Sequence, residues 1–222
     1  MYDIFSIFYV NLAIMNRQVI IMIGIALMLG CSCQPKAEEV SETANKEIVI
    51  NTTMEDLLTR RSVRSYTDEI PPMEVIEEIC KAGTYAPTGM NRQSPIILAV
   101  TNREVRDRLS ELNAQVMGSD NDPFYGAPVV LVVLADKNVR TYVEDGSLVM
   151  GNLLNAAHAK GLGSCWIHRA KEVFETEEGK KILKDLGVEG DYVGIGNCIL
   201  GYTNGDYPQP APRKENWVYW VK

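Results

Sequence analysis

Arg60-Arg61-Ser62-Val63-Arg64 gathers three guanidinium groups and a hydroxyl within five residues of a chain whose formal net charge is −7. Like charges this close repel one another unless an anion sits among them. The planar fork of arginine matches phosphate oxygens two at a time, so the chemistry on offer is phosphate binding. Met54, Leu57 and Leu58 recur at helical spacing, which predicts a helix from Thr53 with Asp56 three residues on in a capping-box arrangement. Arg60 and Arg61 then fall in its last turn, where the helix dipole favours cations and repels phosphate. A phosphate held here needs side-chain forks rather than the backbone cradle of a helix N-terminus. Taken alone, the cluster reads first as a solvated cationic helix end.

Other reactive side chains carry less. Two histidines and five cysteines show no zinc-ligand spacing. Cys165, beside Trp166, has no matched His and Asp to activate it and reads as a packed thiol. Cys80 and Cys198 sit in apolar stretches and read as core. His158 lies in a helix of apolar and small residues, a structural setting; His168 ends a strand and reads as a rim residue.

The elements that must position these groups follow from composition and pattern. The chain has 222 residues, 46% apolar and 23% charged, which suits one globular domain with a sizeable core. Its pI of 5.0 argues against a general nucleic-acid binder. No internal repeat or low-complexity block is present.

Residues 1–30 read as a signal peptide. Val19 to Leu29 is an uninterrupted run of apolar or small residues after Arg17. Such a run spans about 17 Å as a helix, short of a bilayer core. Met15-Asn16-Arg17 reads as a start, which makes residues 1–14 an upstream extension. Leu27-Met28-Leu29-Gly30-Cys31 resembles a bacterial lipobox, with Cys31 as the lipid attachment site and Cys33 as a second candidate. One continuous apolar anchor from Ile4 to Leu29 is the rival reading, but Asn11, Asn16, Arg17 and Gln18 interrupt it. Residues 31–50 read as a polar tether and 51–222 as the folded domain.

Within that domain, Ile70-Pro71-Pro72 opens a helix with Ile76, Ile79, Cys80 and Gly83 along one side. The loop Tyr85 to Pro95 follows, stiffened by prolines and relieved by Gly89. Ile96–Thr101 reads as a buried strand, and Asn102 caps a helix through Leu109, Leu112 and Val116. Tyr125–Pro128 reads as a turn. Val129–Ala135 reads as a central strand covered on both faces. Asp145 or Ser147 starts a helix ending at Gly161. Leu162–His168 and Tyr192–Leu200 are strands separated by a helix over Val173–Leu186. This order fits an α/β or an α+β sandwich.

Four stretches occur in one order: Arg-Arg-Ser-Val-Arg-Ser-Tyr from Arg60, Tyr-Ala-Pro-Thr-Gly-Met-Asn-Arg-Gln-Ser-Pro from Tyr85, Gly-Leu-Gly-Ser-Cys-Trp-Ile from Gly161, and Pro-Ala-Pro-Arg-Lys ending at Lys214. Over residues 51–222 the chain resembles the nitroreductase family of FMN-dependent oxidoreductases. The resemblance implies an α+β, nitroreductase-like fold with a central, mostly antiparallel or mixed sheet flanked by helices, in an intertwined homodimer. It implies that Arg60, Arg61, Ser62 and Arg64 hold the phosphate and ribityl chain of FMN, with Arg213 and Lys214 reaching the same phosphate. Pro87, Thr88, Gly89 and Asn91 come from the partner subunit, and Asn113 is a further candidate near the flavin. Cys165, Trp166 and Ile167 line the other side of the ring. The aromatic tail, Trp217, Tyr219 and Trp220, alternates as a strand or arm does.

The implied activity is an oxidoreductase taking electrons from NADH or NADPH and passing them to a nitroaromatic or quinone. Alternatives on the same fold are a flavin-binding protein without turnover and a dehalogenase-like or flavin-consuming enzyme. The link from Val116 to Phe124 leaves little room for the lid that a dehalogenase needs. The expected location is the bacterial cell envelope, with the membrane reached only through the lipid anchor, or the cytoplasm if the leader is not a signal.

Overall fold

Val129–Asp136, β2, carries the fold. In the computed structural model, which describes residues 52–222, Val129 to Ala135 are all fully buried. Seven consecutive apolar residues need cover on both faces and partners on both edges. Pro95–Val100 (β1) pairs on one edge and Tyr192–Gly201 (β4) on the other, both antiparallel. Gly163–Ile167 (β3) pairs antiparallel with β4, giving the order β1-β2-β4-β3. With every pairing of this sheet antiparallel, the α/β alternative falls and the α+β reading stands.

Side chains of β2 alternate between two cores. Val130, Val132 and Leu134 pack with Leu109, Phe124, Val173 and Ile199. Val129, Leu131 and Val133 pack with Ile76, Ile79, Leu153 and Leu200. The first face is covered by Arg103–Met117 (α3) and Ala170–Glu175 (α5), the second by Met73–Thr84 (α2) and Tyr142–Ala159 (α4). Fully burying one such Val, Leu or Ile contributes about 1.5–3 kcal/mol, so the sheet stands on these two layers.

Several boundaries follow the sequence. Asn102 caps α3 by accepting the Val105 N–H at 3.0 Å, and Pro72 precedes α2 with Ile76, Ile79 and Gly83 buried. Val116, by contrast, is exposed, and Cys80 is only half-buried.

Others do not. The first helix, α1, runs Thr52–Thr59, so Thr53 lies within it and is not its cap; Arg60 and Arg61 sit just beyond its end rather than in its last turn. Helix α4 starts at Tyr142, before Asp145 and Ser147, because Asp145 is a buried acceptor inside its first turn. The single helix expected over Val173–Leu186 is two, α5 and Glu177–Asp185 (α6). Thr176 turns extended between them and caps α6 by accepting the Gly179 N–H at 3.0 Å. The aromatic tail forms no strand, and Trp217, Tyr219 and Trp220 are exposed. The signal peptide, Cys31 and the tether lie outside the described residues.

Candidate functional site

On leaving α1, the arginine segment is laid along the outer edge of β3. Ser62 bridges Ser164 in parallel, and the Val63 N–H donates to Ser164 O at 3.0 Å. Gly163 makes that approach possible, since a Cβ there would stand 3.0 Å from Val63 Cβ and 2.8 Å from Thr203 Oγ1. Beyond it, Thr67 N–H donates to Tyr202 O and Asn204 N–H to Ser65 O, each at 3.0 Å. The Tyr66 phenol donates to Val63 O at 2.8 Å, and burial pushes its pKa far above the ordinary value, so it stays a donor. The cluster is thus fixed beside Cys165-Trp166-Ile167.

Arg61 Nη1 donates to Leu58 O at 2.9 Å and Arg60 O at 2.8 Å, satisfying carbonyls at the helix end. Arg61 Nε and Arg60 Nη1 are buried and, among the described residues, have no hydrogen-bond partner. A buried donor left unpaired costs about 1–3 kcal/mol, more when charged. Arg64 is exposed, with Nη1 3.5 Å from Ser62 O, and lines a cleft of 510 Å³ with Trp166, Ile167, His168 and Arg169. Arg64 on the cleft, together with the unpaired nitrogens of Arg60 and Arg61 on the same segment, is a donor set that fits a phosphate.

The end of β3 is held rigidly. Asn113, fully buried at the heart of α3, donates its amide to His168 O at 2.9 Å. Asn197 donates to the same carbonyl and to Ile167 O, both at 3.3 Å. Arg169 then takes the left-handed conformation, φ 75°, a strained choice for arginine. Trp166 lies across Gly196, where a Cβ would run into its indole, and its buried Nε1 has no partner among the described residues. His168 is exposed, with its ring 5.9 Å from that of Trp166. It stands between the first cleft and a second of 610 Å³ bordered by Tyr142, Ser147, Lys171 and Ile195.

The loop Pro87 to Asn91 is anchored elsewhere. The Gly89 N–H donates to Asp145 Oδ1 at 2.9 Å, in the first turn of α4, while Pro87 and Asn91 are exposed. Thr88 Oγ1 accepts the Gln93 N–H at 3.0 Å. The arginine segment is tied to the opposite end of α4, where His158 Nε2 lies 2.8 Å from Thr59 Oγ1. Asp145 and His158 are separated by about 20 Å of helix rise. Within one chain the loop and the arginine segment are thus tied to opposite ends of α4. Arg213 is exposed, and Lys214 Nζ lies 5.0 Å from the Trp217 ring centroid; among the described residues neither is bonded to the cluster.

Among the described residues, the cysteines have no nucleophilic setting. Cys165 is buried with Sγ 3.7 Å from Trp166 O, and burial pushes the Cys198 thiol strongly up and the Cys80 thiol up. No group of three metal-ligating side chains occurs among the described residues, and none of their helices is long and apolar enough to cross a membrane. Sequence reasoning missed Tyr207 and Asn197 and gave Asp145 only as a helix start; all three act across the fold rather than along a motif.

The profile of the Nitroreductase family matches residues 57–123 and 115–202. An Archaeoglobus fulgidus protein named for NADH dehydrogenase/NAD(P)H nitroreductase activity is 34% identical over 156 residues, covering 68% of this chain and 84% of that one. A nitroreductase with bound FMN from Bacteroides fragilis superposes with a TM-score of 0.70 at 26% identity, covering 78% of this chain and 100% of the other. A second, from Desulfitobacterium hafniense and also with bound FMN, gives 0.69 at 25% over the same shares.

Proposed function

The chain belongs to the nitroreductase family and is an FMN-dependent oxidoreductase, and we propose that two copies of it build each flavin site together. The observation that carries the placement of the flavin phosphate is the pair of buried, unpaired nitrogens, Arg60 Nη1 and Arg61 Nε, on the segment beside β3. They would hold the FMN phosphate with Ser62 and Arg64, and Arg213 and Lys214 would close on it from the C-terminal segment. The main chain of Cys165, Trp166 and Ile167 would support one side of the ring, held in place by the Asn113 and Asn197 amides. Pro87, Thr88, Gly89 and Asn91 would come from the second copy, a division favoured by the length of α4 between loop and arginines.

Bound FMN supplies the redox chemistry, accepting a hydride from a reduced donor such as NADH or NADPH and returning electrons to a nitroaromatic or quinone. The side chains bind, orient and neutralise charge; none is assigned as acid, base or nucleophile. His168, exposed between the two clefts, would border the place where donor and acceptor alternate. The test is steady-state turnover of the flavin-loaded protein with NADH or NADPH and either acceptor. Flavin that stays oxidised with every donor, or is reduced without turning over, would instead make the protein a cofactor store.

The same proposal extends to location. The charge of Arg17, the short apolar run and Cys31 support export and lipid attachment, with residues 31–50 as the tether to the domain at 51–222. Several acyl chains on one cysteine give stable anchoring where a single one is marginal. Nicotinamide donors are cytoplasmic, so an exported form would draw on a membrane or extracytoplasmic electron carrier. Mass spectrometry of the protein from its host decides this: a lipid on Cys31 supports the anchor, and an intact start at Met1 or Met15 removes it.

A further inference from the structure

Beneath the arginine segment, four hydrogen bonds run in one direction. The Thr59 hydroxyl donates to Glu55 O at 2.7 Å, so its oxygen faces His158 Nε2, 2.8 Å away, as an acceptor. Nε2 then carries a proton toward that oxygen, and in the neutral tautomer Nδ1 accepts. Nδ1 lies 3.1 Å from the Tyr207 hydroxyl, which donates to it. The phenol oxygen in turn accepts the Arg61 backbone N–H at 2.8 Å. In this neutral tautomer each group gives its one proton to the next, and every member of the chain is satisfied. The two rings also stack, with centroids 5.6 Å and planes 25° apart.

Three stretches meet here: Thr59 ends α1, His158 is in the last turn of α4, and Tyr207 follows β4. What they hold is the main chain at Arg61, beside the two unpaired guanidinium nitrogens. We propose that His158 is a positioning residue for the cofactor phosphate, acting through Tyr207 to fix the Arg61 main chain and with it the Arg60 and Arg61 side chains. This rests on the FMN reading above. Because Arg61 Nη1 is spent on Leu58 and Arg60 carbonyls, the direction of the guanidinium follows that main chain. Loss of the Tyr207 contact frees the segment between α1 and Val63 to shift.

The test is the FMN dissociation constant of the flavin-stripped full chain, read by fluorescence titration, with thermal unfolding of the same samples. Tyr207→Phe removes only the hydroxyl and His158→Leu removes both ring contacts. His158→Gln offers an acceptor oxygen and a donor nitrogen that can rebuild both links. Tyr207→Phe and His158→Leu should each weaken FMN about tenfold, as expected for one hydrogen bond. Combined, they should cost little more than either alone, because they break one chain of contacts. His158→Gln should stay within about threefold of the parent, well inside one such bond. Parent-like affinity in both Tyr207→Phe and His158→Leu, or a Gln variant as weak as Leu, overturns the proposal. So would unfolding temperatures that fall in every variant while affinity holds. A parent chain that binds no FMN defeats the FMN reading and this inference together, whereas FMN binding insensitive to these variants defeats this inference alone.

Discussion

Gly89 donates its backbone N–H to Asp145 Oδ1 at 2.9 Å, joining an exposed loop to the first turn of a helix 56 residues later. Asp145 is 2% exposed and also accepts the Ser94 hydroxyl at 3.0 Å and the Thr141 hydroxyl at 3.1 Å. Asp145→Ala leaves three donors without their acceptor, and should cost about 2–3 kcal/mol. Urea denaturation reads the loss, and faster tryptic cleavage after exposed Arg92 reads the loosened loop. A variant with the parent midpoint and the parent cleavage rate would show that Asp145 does not pin the loop.

That anchorage sets the next expectation. With the loop fixed at one end of α4 and the arginines at the other, the proposed flavin site would be completed only across two chains. Leu57, Leu58, Trp217 and Trp220 are each more than half exposed in one chain, apolar surface of the kind that marks an interface. A two-fold dimer repeats every contact and gives two equivalent pockets. Light scattering with flavin quantified on the same sample should give a dimer with two FMN, which dissociates more readily once stripped. A stable monomer carrying one FMN would refute the shared site.

How much of this was legible depended on range. Val129–Ala135 could be read as a central strand because seven apolar residues in a row need no partner to be identified. Asn102 could be read as a cap because its acceptor bond reaches only to Val105. The split at Thr176 could not, since it depends on Gly179 packing against Val173 and Phe174, where a Cβ would collide with backbone. The start of α4 was misplaced because Asp145 has the residue type of a cap but serves Gly89 and Ser94 instead. The arginine cluster was visible as a motif, whereas His158 looked inert among small residues. Its partner Tyr207 lies 49 positions away, in a segment with no periodic signal.

The arginines themselves are open to direct measurement. Arg64→Ala and Arg213→Ala should each remove one charge-assisted contact of about 1.5–3 kcal/mol, weakening FMN about ten- to a hundredfold. His168→Ala should leave FMN affinity nearly unchanged, because that side chain is exposed beside Trp166 rather than in the cationic segment. Full flavin occupancy in both arginine variants after dialysis would remove the phosphate assignment.

Acid should act on the wall of the 510 Å³ cleft, through Asp122. This carboxylate accepts Arg106 Nη2 at 2.7 Å, the Ser110 hydroxyl, and the backbone N–H groups of Phe124 at 2.8 Å and Gly126 at 2.7 Å. Arg106 is buried and braces the same turn by donating Nε to Ala127 O at 2.8 Å. Burial raises the Asp122 pKa, but the donors outweigh it and hold the carboxyl below its ordinary value. A folded pKa lower than the unfolded one gives stability that is present above about pH 4 and is lost as pH falls through the folded value. Thermal unfolding of the parent should therefore change little from about pH 7 to 5 and fall steeply below about pH 4. Asp122→Asn keeps one acceptor oxygen and loses the charge facing Arg106, so it should unfold at lower temperature at neutral pH. It should then lose less on acidification, because one of the groups that must be protonated is gone. Parallel pH profiles for parent and variant, offset by a constant, would show that the acid response arises at other carboxylates.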